Sequence, residues 1–250
     1  MTNPDLPPPP PLAPPEGYVG YTPTNWGTGM RRVGGLAKAL VIILAVFAIG
    51  QAITTATTSS AADAAAEFLA DGDEDAFDDS LAPWQIGSSL TGAAQIAIAV
   101  LTIIWLYRVA ANHRGLGRQL TWAPAWAIAG WFLPPLLFII PLLMIRESWK
   151  ASAPDVPPGS PDWKRQGDSL LVWIWFVLFV IAPIVLLIAG TSQVSTISGD
   201  RDDLAEYFDE QQGVIIASGV VSILAAIAWA LVVREITRRH TQLTGEATVR

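Results

Sequence analysis

Residues 105–149 read WLYRVAANHRGLGRQLTWAPAWAIAGWFLPPLLFIIPLLMIRESW. An apolar run from Ala123 to Ile145 sits at the centre of this stretch, broken by Pro134 and Pro135 and again by Pro141. Arg108, Arg114 and Arg118 precede it, and Arg146 and Lys150 follow. Bases on both sides are unusual for a bilayer crossing, because Lys and Arg collect on the cytoplasmic side. The pattern predicts a hairpin that enters the membrane from the cytoplasm and returns there. Each half, Ala123–Leu133 and Leu136–Ile145, would make roughly 15 Å of helix. That is half of the roughly 30 Å hydrocarbon core.

The rest of the chain sets the class. It has 250 residues, 52% hydrophobic and 15% charged, where a soluble domain carries about 25% charged residues. Several apolar runs of roughly twenty residues predict an all-α polytopic membrane protein. Transmembrane helices are expected at about 36–57, 84–107, 168–191 and 213–233, inside a helical membrane domain of residues 31–240. Pro183 should kink the third span. The re-entrant hairpin covers 123–145. Residues 1–30 are Pro-rich, which favours extended backbone and predicts a disordered cytoplasmic tail rather than a cleavable signal peptide. Residues 241–250 read as a second short cytoplasmic tail. Without cysteine, the chain has no disulfide framework and no thiolate chemistry.

Charge orients these spans. Residues 58–83 carry eight acids and no base, and residues 192–212 carry six acids and one base, Arg201. The other 14 of the 15 Lys and Arg residues lie in the segments assigned to the inside. Four spans plus the hairpin keep both termini in the cytoplasm and satisfy the rule. The alternative, five transmembrane helices, sends Arg146, Lys150, Lys164, Arg165, Arg234, Arg238 and Arg239 outward. Span, acidic loop and span occur twice, and the second spans end in similar words, IIWLYR at 103–108 and IAWALVVR at 227–234. Duplication and convergence of composition both account for this.

The central stretch also resembles an uncharacterised actinobacterial membrane family, domain-of-unknown-function family four-three-two-eight. The resemblance rests on Trp105, Tyr107-Arg108, Asn112, Leu116-Gly117, Pro124-x-Trp126-Ala127, Trp131-Phe132-x-Pro134, Pro141, Arg146-Glu147 and Trp149. It implies a plasma-membrane setting over roughly Leu36 to Arg239, and no reaction. Two positions depart from it. Leu137 and Ile140 stand where the family tends to place polar residues, which argues against a polar hairpin tip.

Trp105, Arg108 and Asn112 are spaced i, i+3 and i+7, so one helix face carries all three. Glu147 lies at the other foot of the hairpin, within expected reach of Arg108. This cluster reads as a structural clamp, or as an anion or lipid-headgroup site at the inner interface. Most of the tryptophans, Trp105 and Trp229 among them, read as an interfacial belt. His113 and His240 lack metal-ligand spacing and read as surface residues. Asp71, Asp73 and Asp75 have the start of a calcium-loop spacing, but Ala76 and Ala82 replace the turn glycine and the bidentate glutamate. No span carries an ionisable residue away from its ends, which disfavours ion-coupled transport. The expected function is therefore non-enzymatic, without cofactor, metal or nucleic acid, working through membrane lipid, protein partners or a homo-oligomer. A small passive transporter or channel built around the hairpin is the alternative.

Overall fold

The computed structural model describes residues 30–72, 74–133, 139–190 and 201–246. Residues 1–29 of the Pro-rich head and the Pro134–Pro135 turn lie outside these residues. The described chain is helical, with no strand among the described residues. In order come α1 (Gly34–Asp71), α2 (Glu74–Gly115), a short α3 (Trp126–Ala129), α4 (Ile139–Ala151), a 3-10 turn (Pro161–Arg165), α5 (Leu170–Phe176), α6 (Ala182–Gly190) and α7 (Arg201–Thr244). A π-helical turn, Val177–Ile181, joins α5 to α6. Among the described residues, four helical segments are long and apolar enough to cross a membrane: Gly34–Asp71, Glu74–Gly115, Leu170–Ile188 and Arg201–Thr244. Large apolar side chains lie open on their outer faces, Ile96 at 72% and Ile188 at 68% exposure. Lipid tolerates such a surface and water does not.

Three of these helices are longer than the predicted spans. At 38, 42 and 44 residues, α1, α2 and α7 reach roughly 57–66 Å, about twice the hydrocarbon thickness. The regions read as acidic loops are helical over 58–71, 74–83 and 201–212. Their acids obscured a helical stripe of small and aromatic residues. Ala61, Ala65 and Phe68 of α1 face Phe77 and Leu81 of α2 and Ala205 and Phe208 of α7, forming a second core. Phe68 stacks on Phe77 at 5.3 Å, and Phe208 meets the edge of Trp84 at 5.1 Å. Gly72 ends α1 at φ 78°, its N–H donating to the Phe68 carbonyl at 2.8 Å. Arg201 ties the start of α7 to α2 through Glu74 (2.8 Å) and Asp78 (2.6 Å). The opposite end also differs from expectation. The predicted tail 241–250 begins as helix, and the Glu246 carboxylate accepts from the N–H groups of Gly34 (3.0 Å) and Val33 (3.2 Å) at the start of α1.

Helix α1 is the element on which α2 and α7 both pack. Small residues allow this. A Cβ on Gly87 would come within 2.5 Å of Thr54 Oγ1 and 2.9 Å of the Gly50 carbonyl, so α1 and α2 cross backbone to backbone there. Gly219 of α7 makes room instead for a side chain, that of Thr55. Close backbone approach of this kind is how helices associate in lipid, where apolar burial gives little drive. The hydroxyls of Thr54, Thr55, Thr57 and Thr58 return to carbonyls one turn back, so they add no orphaned polar group. Tryptophans join α2 and α7 on one side. Trp105 Nε1 donates to Thr237 Oγ1 (3.0 Å), and Trp229 Nε1 donates to Thr102 Oγ1 (3.2 Å). Their rings meet edge to face at 5.9 Å, and Trp175 of α5 lies on Trp229 at 4.6 Å. Both Trp105 and Trp229 are buried, so they pack the bundle rather than face lipid as a belt. The kink expected at Pro183 takes the form of the π-turn, where Ala182 N–H reaches back five residues to Val177.

The central stretch is less regular than two equal half-helices. Residues 123–132 form turns around the four-residue α3, while α4 runs thirteen residues to Ala151. Pro141 does not break it. Helix α4 is described from Ile139 through Pro141 to Ala151.

Gly87→Ala should lower the stability of the detergent-solubilised protein by roughly 1–3 kcal/mol through overpacking. Gly92→Ala, where an added Cβ meets nothing within 4 Å, should leave the thermal midpoint unchanged or slightly raised.

Candidate functional site

The end of α2 is built by its glycine. Gly117 adopts φ 71°, and the N–H groups of Gly117 and Arg118 return to the carbonyls of Arg114 and His113 at 3.0 Å each. This paired closure is a Schellman turn, which needs a left-handed residue at that position. It turns Arg118 back into the protein, where 1% of it is exposed. Its guanidinium donates to the carbonyls of Ala151, Ala153 (3.2 Å) and Val156 (2.5 Å). A buried guanidinium requires such acceptors, and burial lowers its pKa to about 10. One arginine thus fastens the end of α2 to the end of α4 and the strand of chain after it.

A polar cluster lies beside it, past the apolar stretches 84–107 of α2 and 213–233 of α7. Asn112 pairs with the backbone of Arg31, its Oδ1 accepting from the N–H (2.8 Å) and its Nδ2 donating to the carbonyl (2.7 Å). That pairing fixes the amide orientation and leaves the second Nδ2 hydrogen facing His240 Nε2 at 3.1 Å. A donor in front of Nε2 requires a lone pair there, so the His240 proton rests on Nδ1 and the ring is neutral. His113 meets His240 edge to face at 4.8 Å, and its Nε2 lies 3.2 Å from Ser152 Oγ. Both histidines are fully buried, against the surface position expected of them. Burial first, and then the charge of Arg118, lowers His240 to about 3. Burial, then His240, then Arg118 hold His113 well below its ordinary value.

The four residues expected to cluster are distributed over three contacts. Trp105 serves the α2–α7 seam. Asn112 holds the segment before α1, and Arg108 Nη1 donates to the Arg32 carbonyl in the same segment at 3.0 Å. Glu147 does not meet Arg108. Its oxygens accept from the N–H groups of Thr121 (2.6 Å) and Trp122 (3.3 Å), across the two feet of the central stretch. Beyond Glu147, Asp168 binds Arg146 (2.6 Å) and Lys150 (3.1 Å), linking α4 to the start of α5. The Arg146 hydrogen bond holds the Asp168 carboxyl below the usual carboxylate range, against opposing desolvation. Arg239 of α7 lies over the Trp149 ring at 3.8 Å. A cavity of about 300 Å³ opens here, lined by Trp122, Arg146, Glu147, Lys150, Trp163 and Lys164 among others.

The family model described as Domain of unknown function (DUF4328) matches residues 69–238. The chain belongs to this family. No curated protein and no solved structure matches it. The DUF4328 match runs from the last turn of α1 to within six residues of the end of α7. It begins at residue 69, not near Leu36, so α1 lies almost wholly before it. His113, Arg118, Glu147 and the cavity residues fall inside the match; Arg31 and His240 fall outside. Ile140, read from the sequence as a departure from the family's pattern, is buried and leaves no room for a Cβ at Gly130, which would meet its Cγ2 at 2.7 Å. Leu137, the other residue read that way, lies outside the described residues.

Sequence reasoning found Asn112 through helical spacing. It missed Arg118, His113 and His240, whose only signal was a base and two imidazoles just beyond apolar helices. A pH dependence follows. Between the ordinary 6.5 and about 3 the unfolded chain takes up a proton at residue 240 that the fold excludes. Stability is full above pH 6.5 and falls as pH drops through that window. The thermal midpoint should decline accordingly in acid, and His240→Gln should flatten the decline. A variant with the parent's slope would refute the assignment.

Proposed function

We propose that this DUF4328 protein is a non-enzymatic plasma-membrane protein with four crossings, both termini cytoplasmic, that acts through contacts with lipid and protein partners. The observation that carries this reading is how the polar side chains at the Arg118 end are used. Arg118 is taken up by three carbonyls, Asn112 by the backbone of Arg31, and Glu147 by two backbone N–H groups. They act as ties between segments, not as groups presented to a reactant or an ion path. A channel lined by the central stretch would need polar groups on α4, where Ile140, Met144 and Ile145 instead face the core.

On this reading residues 123–145 re-enter from the cytoplasmic side. Arg118 and Glu147 support it, because each bonds one foot of the stretch to the other. The charge pattern supports it too. Cysteine scanning of this cysteine-free chain tests it. Lys164 and Asp79 are both exposed. A cysteine at position 79 should react with an impermeant thiol reagent in intact cells, and one at position 164 only after the membrane is opened. Labelling at 164 in intact cells would restore five crossings.

A further inference from the structure

The cavity at the feet of the central stretch has a depth marker. Helical backbone runs from Leu170 to Gly190 without a charged residue, as a segment lying in hydrocarbon requires. Asp168 is the last charged residue before that apolar run, which puts Leu170 at the boundary between hydrocarbon and headgroups. Asp168 lies two residues outside it and carries Arg146 and Lys150, so both cations sit at headgroup level. Arg146 also stacks over Trp173 at 5.0 Å, one turn into the span. The cavity beside them holds about 300 Å³, at the small end of ligand sites. Its tryptophans, Trp122 and Trp163, are the residue type that lines this level of a membrane.

The charges are arranged for an anion. Lys150 has three donors and gives one contact to Asp168. Lys164 lies 5.5 Å from the Trp163 ring and makes no ion pair among the described residues. The one carboxylate on the wall, Glu147, has both oxygens accepting from backbone N–H groups. We propose that this cavity binds the phosphate of an anionic phospholipid headgroup, between Lys150 and Lys164 with Arg146 behind them. This rests on the four-crossing membrane reading, but its test does not depend on which side the cavity faces.

The purified full-length chain would be examined in detergent by native mass spectrometry and thermal unfolding. Phosphatidylglycerol, phosphatidylcholine and inorganic phosphate are the three probes. Phosphatidylglycerol should be retained over phosphatidylcholine, and should raise the unfolding midpoint where inorganic phosphate does not. Lys164→Gln should weaken retention about fivefold, as expected for one lysine near a lipid surface, and Lys164→Arg should restore it. The lipid-free midpoint of both variants should match the parent, because Lys164 holds no other element. Equal retention of the two lipids, or unchanged retention in Lys164→Gln, would overturn the site. Stabilisation by inorganic phosphate equal to that by phosphatidylglycerol would overturn the lipid assignment. Failure here with the labelling pattern intact would reject the headgroup site alone.

Discussion

A guanidinium taken out of water must find acceptors, and backbone carbonyls at a helix end must find donors. Arg118 meets both needs at once. Three carbonyls at and beyond the end of α4 receive its N–H groups, and a Schellman turn at Gly117 points it there. The Glu147 carboxylate makes the reciprocal tie, from α4 back to the N–H groups of Thr121 and Trp122. Together they hold residues 118–122 against residues 147–156. The positions of α3, α4 and the start of α5 follow from that clasp, since Asp168 then reaches Arg146 and Lys150.

The long helices obey a different constraint. Lipid gives little apolar drive between helices, so they must approach closely or bond directly. Both occur, in different places. Gly50 and Gly87 let the backbones of α1 and α2 meet, and Gly219 of α7 makes room for the Thr55 side chain of α1. Where α2 and α7 face each other the gap is filled by Trp105 and Trp229, each donating to a threonine of the other helix. Outside the predicted spans the same three helices continue into a core of alanine and phenylalanine. There the aqueous surface is acidic, with Asp63, Glu67 and Asp79 exposed. One set of rods therefore serves two solvents, with the stripe facing inward throughout and the outer face changing from apolar to acidic.

That change of face explains what the sequence concealed. Hydropathy marks the spans because Ile, Leu and Val are contiguous there. It is silent on 58–83, where alanines every third or fourth residue are diluted by acids, although Ala61, Ala65 and Phe68 keep the helical period. Spacing put Trp105, Arg108 and Asn112 on one helix, as a structural clamp or a headgroup site. Their partners Thr237 and Arg31 are 132 and 81 residues away, and no local pattern names them. His113 and His240 were legible only as polar residues next to arginines. Their burial depends on α2 and α7 ending side by side, which is a tertiary fact.

The ends of the helices carry the last step. Asn112 near the end of α2 bonds Arg31 just before α1, Glu246 past the end of α7 bonds Gly34, and His113 of α2 touches His240 of α7. The start of α5 joins the same end through Asp168 and α4. The chain therefore leaves α2 and enters α5 at one end of the bundle. Both feet of the central stretch, residues 116–122 and 147–169, lie at that end. The proposed re-entrant path draws its support from this, because Arg118 and the carbonyls it bonds belong to the two feet of that stretch. The arginines that made the central stretch look wrong for a span are thus, in Arg118, the residue that holds its two feet together.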